Sequence, residues 1–408
     1  MRRAEFWLNR IEADDVGWDR IEARRHVTGG IGTLDASPDR VELPPETAEV
    51  PKGFRAPQEP WCAETWSVVQ KRAQARVVDP VLAITVERAS LRAYPTNDPA
   101  FRGPDDEEFD QFQMTRIHLM EPVRILAESP DRSWYWVESR ICAGWIEANS
   151  VARASLADWT RALTAQDAAA DELCVVTGNH VMTESQPYDP PVSRKPLEFG
   201  AYLPIWEGSE SVGRQHAVGH LVVGYPVRAA DGDFELRPAL VKADHRVSVG
   251  LLPYRRASVV RSIFTQLGDR YDWGDRLGNH DCSSLVMDTY RTVGVQIPRN
   301  SGTQSRSLAA RTEWSSEVPF DERLADLGQA KTGDLLCMPG HVMMYLGTAH
   351  GVPYAIHAFV GYAEAEKEAG RDSVRPVLVN AVEVSSLATL TRRGTPYLNA
   401  VTKVCRMS

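Results

Sequence analysis

Short alternating runs dominate the chain between about residues 81 and 250. "AITVERASLRAYP", "EPVRILAES", "SWYWVES" and "AGWIEANSVA" are rich in β-branched and aromatic residues and are separated by polar turns such as "PDR". This spacing predicts strands that close into a small barrel. "ASLADWTRALTAQDAAADE" predicts a helical connector. After it, "ELCVVTGNHVMTES", "GAYLPIWEG", "GHLVVGYPVRA" and "DFELRPALVKA" predict a second strand-rich unit. At Arg255 the period changes: Val259, Val260, Ile263, Phe264 and Leu267 share one helical face, and Gly268 stands where a C-cap belongs. A second stripe, Leu285, Val286, Tyr290 and Val293, ends at Gly294. "GDLLCM", "HVMMYLG" and "PYAIHA" then read as strands of a sheet covered by helices on one face.

These changes of period divide the chain into four parts. Residues 1–80, with five prolines between Val41 and Pro60, predict an extended or partly helical segment lying over other domains. A first barrel is expected at 81–155, a second at 170–252, and an α+β domain at 255–408. A length of 408 residues suits several domains, and a hydrophobic fraction of 43% with 25% charged residues is that of a folded globular protein.

Charge and cysteine usage remove several function classes. The net charge of -9 and acidic clusters such as "PDDEEFD" argue against nucleic acid as a partner. No run is long and apolar enough for a membrane span, and Phe6, Trp7 and Leu8 are too short a patch for a secretory signal. The expected location is therefore cytoplasmic as the sequence is written; a start further upstream would permit export. Cys62, Cys142, Cys174, Cys282, Cys337 and Cys405 occur singly, which favours a reducing compartment over a disulfide framework or a zinc site. "HAVGH" sets His216 and His220 four apart in a strand-rich region and without a zincin glutamate, so no metal is expected there.

Candidate chemistry gathers in "YDWGDRLGNHDCSSLV". Asp281 is an N-cap type of residue, which places Cys282 in the first turn of the second predicted helix. A thiol there meets the helix dipole and unpaired amides, and a nearby imidazolium would favour the thiolate further. His341 opens one predicted strand and His357 closes the next. A symmetrical hairpin turning about Ala349 would set the two directly opposite, with one as base and the other orienting it. His280 adjoins this loop and is expected to be exposed.

The segments "LGDRYDWGDRLGNHDCSSLVMDTYRTVGVQIPRNSGTQ", "GDLLCMPGHVMMYLG" and "AIHA" together resemble the NlpC family of papain-like cysteine peptidases, which cut bacterial cell-wall peptides. The resemblance covers about residues 255 to 400. It implies Cys282 as nucleophile, His341 as general base and His357 as the residue that orients it, with the Cys282 amide and the Tyr271 hydroxyl stabilising the oxyanion. It also implies that Asp281, Ser283 and Ser301 hold the γ-D-glutamyl part of the substrate and that Trp273 walls the pocket. Asn300 stands where some relatives carry Asp, and Asp275 where many carry a second glycine.

The upstream part resembles two bacterial SH3-like barrels, so the expected fold is two small all-β SH3-like barrels followed by an α+β papain-like catalytic domain. In similar enzymes the first barrel reads the free amine of L-alanine. Asp110 is the candidate acidic partner here, whereas Cys142 stands where a tyrosine would be expected. The activity implied is hydrolysis of the γ-D-glutamyl to L-diamino-acid bond in peptidoglycan-derived peptides (L-Ala-γ-D-Glu-diamino acid), without metal or cofactor. An endopeptidase acting on intact wall, or a papain-like acyltransferase or amidase, stays open as an alternative.

Overall fold

The computed structural model describes residues 3–9, 11, 34, 44, 49–56, 59–168, 170–368 and 371–407. Residues 41–43, 45–48, 57 and 58 of the proline-rich stretch 41–60 lie outside the described residues. The chain divides into two compact units, one formed by residues 1–31, 252–271 and 279–408 and the other by 32–251 and 272–278. The expected multidomain architecture is observed.

The first unit is built on an antiparallel sheet. Its order is Ala310–Glu313, Lys403–Cys405, Leu335–Met338, His341–Ala349, Val352–Glu368 and Arg371–Ser386, with Leu390–Thr391 paired to the far part of Val352–Glu368. Side-chain alternation divides the strands between two cores. Val342, Met344 and Ile356 pack with Val259, Ile263, Leu285 and Tyr290 from the helices Arg256–Phe264 and Cys282–Thr292. Met343, Tyr345 and Phe359 pack on the opposite side with Leu327, Leu398 and Val401, next to the helix Phe320–Asp326. Apolar layers therefore cover both faces, where the sequence suggested helices on one.

The helix Cys282–Thr292 lies at the centre of this unit, and all eleven of its residues are buried. A helix enclosed on every side can carry polar residues only where each finds a partner. Thr289 Oγ1 donates to the Leu285 carbonyl at 2.7 Å, and Tyr290 Oη donates to the Gly333 carbonyl at 2.6 Å. The short helix Ala4–Leu8 also belongs to this unit, with Trp7 buried against Tyr354 at a ring separation of 5.5 Å.

The second unit holds an antiparallel sheet in the order Gln113–Ile117, Ala89–Arg92, Ala143–Glu147, Trp134–Glu138, Pro122–Glu128, Arg76–Thr85 and Val151–Arg153. Its core is formed by Leu91, Ile117, Val123, Val137 and Ile146. The Ala-rich connector is helical over Leu156–Leu163, with Ser155 capping the amide of Asp158. The following β-rich region consists of small sheets: Leu173–Val176 between Tyr202–Pro204 and Val247–Val249, and the hairpin His220–Arg228 with Phe234–Lys242. His216 and His220 fall on different short strands, and His220 meets Glu184 at 3.3 Å.

Residues 272–278 belong to this second unit, although they immediately precede the helix that carries Cys282. Gln113 Nε2 donates to the Gly274 carbonyl at 2.9 Å, Arg88 Nη1 donates to the Gly278 carbonyl at 3.3 Å, and Arg276 Nη2 donates to the Glu107 carbonyl at 3.0 Å.

Candidate active site

Asp281 starts the site by capping the Cys282–Thr292 helix. Its Oδ1 accepts from the amides of Ser283 and Ser284, each at 2.9 Å, while Ser284 Oγ accepts from the Asp281 amide at 3.0 Å. This reciprocal box satisfies donors that a helix start leaves without partners. Cys282 is the first residue of the helix, so its amide has no intrahelical acceptor.

Arg299 completes the turn. Its guanidinium reaches Asp281 Oδ1 at 3.0 Å, Asp281 Oδ2 at 2.8 Å and Ser283 Oγ at 2.9 Å. Burial alone would raise the Asp281 pKa, yet Arg299, the Ser284 amide and the Ser283 hydroxyl outweigh it and hold the carboxyl at about 2. Gln304 adds a second clamp, donating to the carbonyls of Ser283 at 3.0 Å and Pro298 at 2.7 Å. Neither Arg299 nor Gln304 was singled out from the sequence. Both sit in the "IPRNSGTQ" segment that carries part of the family resemblance, which was the available signal.

The two histidines meet across the hairpin, in a register different from the symmetrical one expected. Ala349 pairs with Val352 and Gly347 with Tyr354, but beyond Leu346 the register slips, so that Tyr345 pairs with Ala355 and Met344 with Ile356. Continuing this register sets His357 across from Met343, diagonal to His341. The turn falls at residues 350 and 351, and a bulge at Leu346 consumes one extra residue. Diagonal neighbours on one face are close enough for imidazoles to touch. His341 Nε2 lies 2.7 Å from His357 Nδ1, and His357 Nε2 lies 3.0 Å from Ser385 Oγ.

His357 is fully buried, stacked at 4.0 Å on Phe359 and edge-on to Tyr397 at 5.3 Å. Burial, reinforced by His341, pushes its pKa well below the ordinary histidine range. A neutral His357 can accept at Nδ1 only if Nε2 carries its proton. Two assignments satisfy the row, with His357 either accepting from His341 Nε2–H and donating to Ser385, or accepting from Ser385 and donating to His341; in the first, His341 keeps its lone pair on Nδ1.

Cys282 meets the strand that His341 opens, where the amide of Val342 donates a hydrogen bond to the sulfur. The electrostatics differ from the thiolate expected at a helix start. Burial, with the Asp281 charge adding to it, pushes the thiol up to about 12, and the amides of Val342 and Ser283 offset this only in part. Burial also lowers His341 to about 4 despite the pull of Asp281. Both shifts favour the neutral forms, a thiol at Cys282 and an imidazole at His341, because desolvation penalises each charge more than the helix end rewards one.

Residues 268–364 match the NlpC/P60 family, and residues 99–147 match the SH3 domain of SH3b1 type. The chain carries an NlpC/P60 domain. The fold agrees with that of an NlpC/P60 endopeptidase from Photobacterium damselae subsp. piscicida, which is 16% identical over 94% of this chain and 90% of its own, with a TM-score of 0.68. An NlpC/P60 family protein from Bacillus cereus ATCC 10987 is also 16% identical, over 80% of this chain and 99% of its own, with a TM-score of 0.51. No curated protein matches the chain. The NlpC/P60 match contains Cys282, His341 and His357.

The other candidate residues fall in several places. Tyr271 is half-buried, and its amide donates to the Asn380 carbonyl at 3.1 Å. Ser301 is the first residue of the helix Ser301–Ser307, and Asn300, at its N-cap, is exposed and makes no side-chain cap. Trp273 is packed edge-on to Phe109, within the second unit, at 5.6 Å. Asp110 is wholly buried. It pairs with Arg92, and its Oδ1 accepts from the amides of Ala100 and Phe112, each at 2.9 Å, so its carboxylate is committed to the loop that carries it. His280, expected on the surface, is buried, with Nε2 3.1 Å from Asp288. Among the described residues, no group of three or more His, Cys, Asp or Glu converges to hold a metal, and no helix is long and apolar enough to cross a membrane.

Proposed function

We propose that the protein is a cysteine peptidase that hydrolyses the γ-D-glutamyl to L-diamino-acid bond of peptidoglycan stem peptides. The observation that carries this reading is the row His341, His357, Ser385, which engages Nε2 of His341 and leaves Nδ1 as the nitrogen proposed to act as base, on the strand whose Val342 amide contacts Cys282 Sγ. Cys282 Sγ attacks the γ-carbonyl while His341 Nδ1 takes the thiol proton. The imidazolium so formed keeps its Nε2–H on neutral His357, and the Cys282 amide, with the Tyr271 hydroxyl, receives the oxyanion. His341 then returns the proton to the leaving amine, and water deprotonated by His341 opens the thioester.

The preferred substrate in this reading has a free N-terminal L-alanine, as a fragment released during wall turnover would. The reading predicts action on such fragments in the cytoplasm. Incubation with L-Ala-γ-D-Glu-diaminopimelate and with its N-acetylated form, followed by mass spectrometry, tests both parts. Release of L-Ala-γ-D-Glu from the free peptide alone supports the full reading. Equal cleavage of the two keeps the peptidase and removes the preference for fragments, and cleavage of neither removes the assigned bond.

A further inference from the structure

The loop 272–278 contains a residue that its backbone does not favour. Gly274 and Asp275 both have positive φ, 62° and 61°. Gly274 is required there, since a Cβ would stand 2.7 Å from Gln113 Cγ. Asp275 tolerates this φ better than most non-glycine residues but less easily than glycine, so contacts that fix the loop matter there. Charge surrounds it, with Arg116, Asp272 and Glu198 close to the Arg88–Asp275 pair. Asp275 is 1% exposed, and its Oδ2 lies 3.4 Å from Nη2 of Arg88, which is itself 4% exposed and also donates to the Gly278 carbonyl at the loop's end. The backbone adds the Asp275 amide to the Asp272 carbonyl at 3.0 Å, and Asp272 Oδ2 accepts from the Leu277 amide at 2.6 Å.

We propose that Arg88 is a positioning residue for the peptidase reaction. By pairing with Asp275 it imposes the left-handed backbone of loop 272–278, which joins Tyr271, the proposed oxyanion donor, to the capped turn that presents Cys282. The proposal rests on the peptidase reading for its consequence in catalysis, but not for its structural content. It gives Asp275 a reason to stand where glycine would suit the backbone: the pair adds an electrostatic anchor in place of conformational freedom.

That interdependence can be tested in the full-length chain. Arg88→Met leaves the Asp275 carboxylate buried without its guanidinium, and Asp275→Gly removes the carboxylate while supplying a residue at ease with positive φ. The expected result is faster amide hydrogen exchange in 272–278 for Arg88→Met, with kcat lowered about ten- to a hundredfold and KM changed much less, as for a misplaced catalytic group. Arg88→Met/Asp275→Gly should return both exchange and kcat toward the unmodified protein. Asp275→Asn, which tolerates the backbone but lacks the charge, should also speed exchange in 272–278, and it carries the test if Arg88→Met does not fold. Unchanged exchange in the single variants, or no recovery in the double variant, would overturn the proposal. Exchange that responds and recovers in a protein inactive on the peptides would sink the peptidase reading alone.

Discussion

His341 Nε2 and His357 Nδ1 stand 2.7 Å apart on diagonal positions of one hairpin, and the contact engages Nε2, leaving Nδ1 of His341 as the nitrogen that acts as base in the proposed reaction. His357 does this while fully buried and neutral, so it serves as an acceptor and not as a countercharge. The requirement at this position is a hydrogen-bond acceptor held in place, and imidazole meets it through its stack on Phe359 and its contact with Ser385.

That requirement predicts an order among substitutions. His357→Asn keeps a carbonyl oxygen near the place of Nδ1 and should retain more kcat than His357→Ala, which should lose about a hundredfold or more, since an unoriented base adopts the wrong tautomer. Ser385→Ala should cost less than either. Steady-state kinetics on a γ-glutamyl peptide checks the order; equal loss in His357→Asn and His357→Ala would show that packing, and not acceptance of a proton, is what His357 supplies.

The neutral resting pair predicts the pH behaviour of the free enzyme. With the thiol pushed up to about 12 and His341 lowered to about 4, kcat/KM should stay level across neutral pH and fall only as His341 gains a proton near pH 4. The difference in absorbance at 240 nm between the protein and Cys282→Ala should show no thiolate at pH 7. A thiolate signal at neutral pH would mean that the ion pair forms before substrate arrives.

The Asp281–Arg299 pair predicts an acid-sensitive contribution to stability. The folded carboxyl is held at about 2, below its ordinary value of 3.8, so the unfolded chain binds more protons between these limits. The stabilisation is complete above about pH 4 and is lost as pH falls toward 2, to the extent of about 2 kcal/mol. Chemical denaturation of the protein and of Asp281→Asn should therefore differ most near neutral pH and converge in acid. A difference that stays constant with pH would contradict this linkage.

Much of this site was legible in the sequence because it depends on local rules. Asp281 before Cys282 is a helix start by residue type, and His341 and His357 open and close recognisable strands. Their exact pairing was not legible, because the turn falls at 350 and 351 and not about Ala349, and a one-residue bulge at Leu346, beside Gly347 with its φ of 124°, shifts the register again. The resting charge state was not legible either. Helix-end electrostatics argued for a thiolate, but the outcome depends on how completely Cys282 and His341 are desolvated, which is set by residues distant in the chain. Asp110 shows the same limit: it reads as an acidic loop residue, and only the fold brings Arg92 to it. Arg299 and Ser385 went unassigned because their partners, Asp281 and His357, lie 18 and 28 residues away.

The central claim is that Cys282 forms a covalent acyl intermediate with His341 as its base. The most direct measurement is intact-protein mass spectrometry after rapid acid quenching of a mixture with L-Ala-γ-D-Glu-diaminopimelate, on the unmodified protein, Cys282→Ala and His341→Ala. The account predicts an L-Ala-γ-D-Glu adduct mapped to Cys282 in the unmodified protein, none in Cys282→Ala, and greatly slowed formation in His341→Ala. Peptide cleavage at an unchanged rate by Cys282→Ala would contradict it.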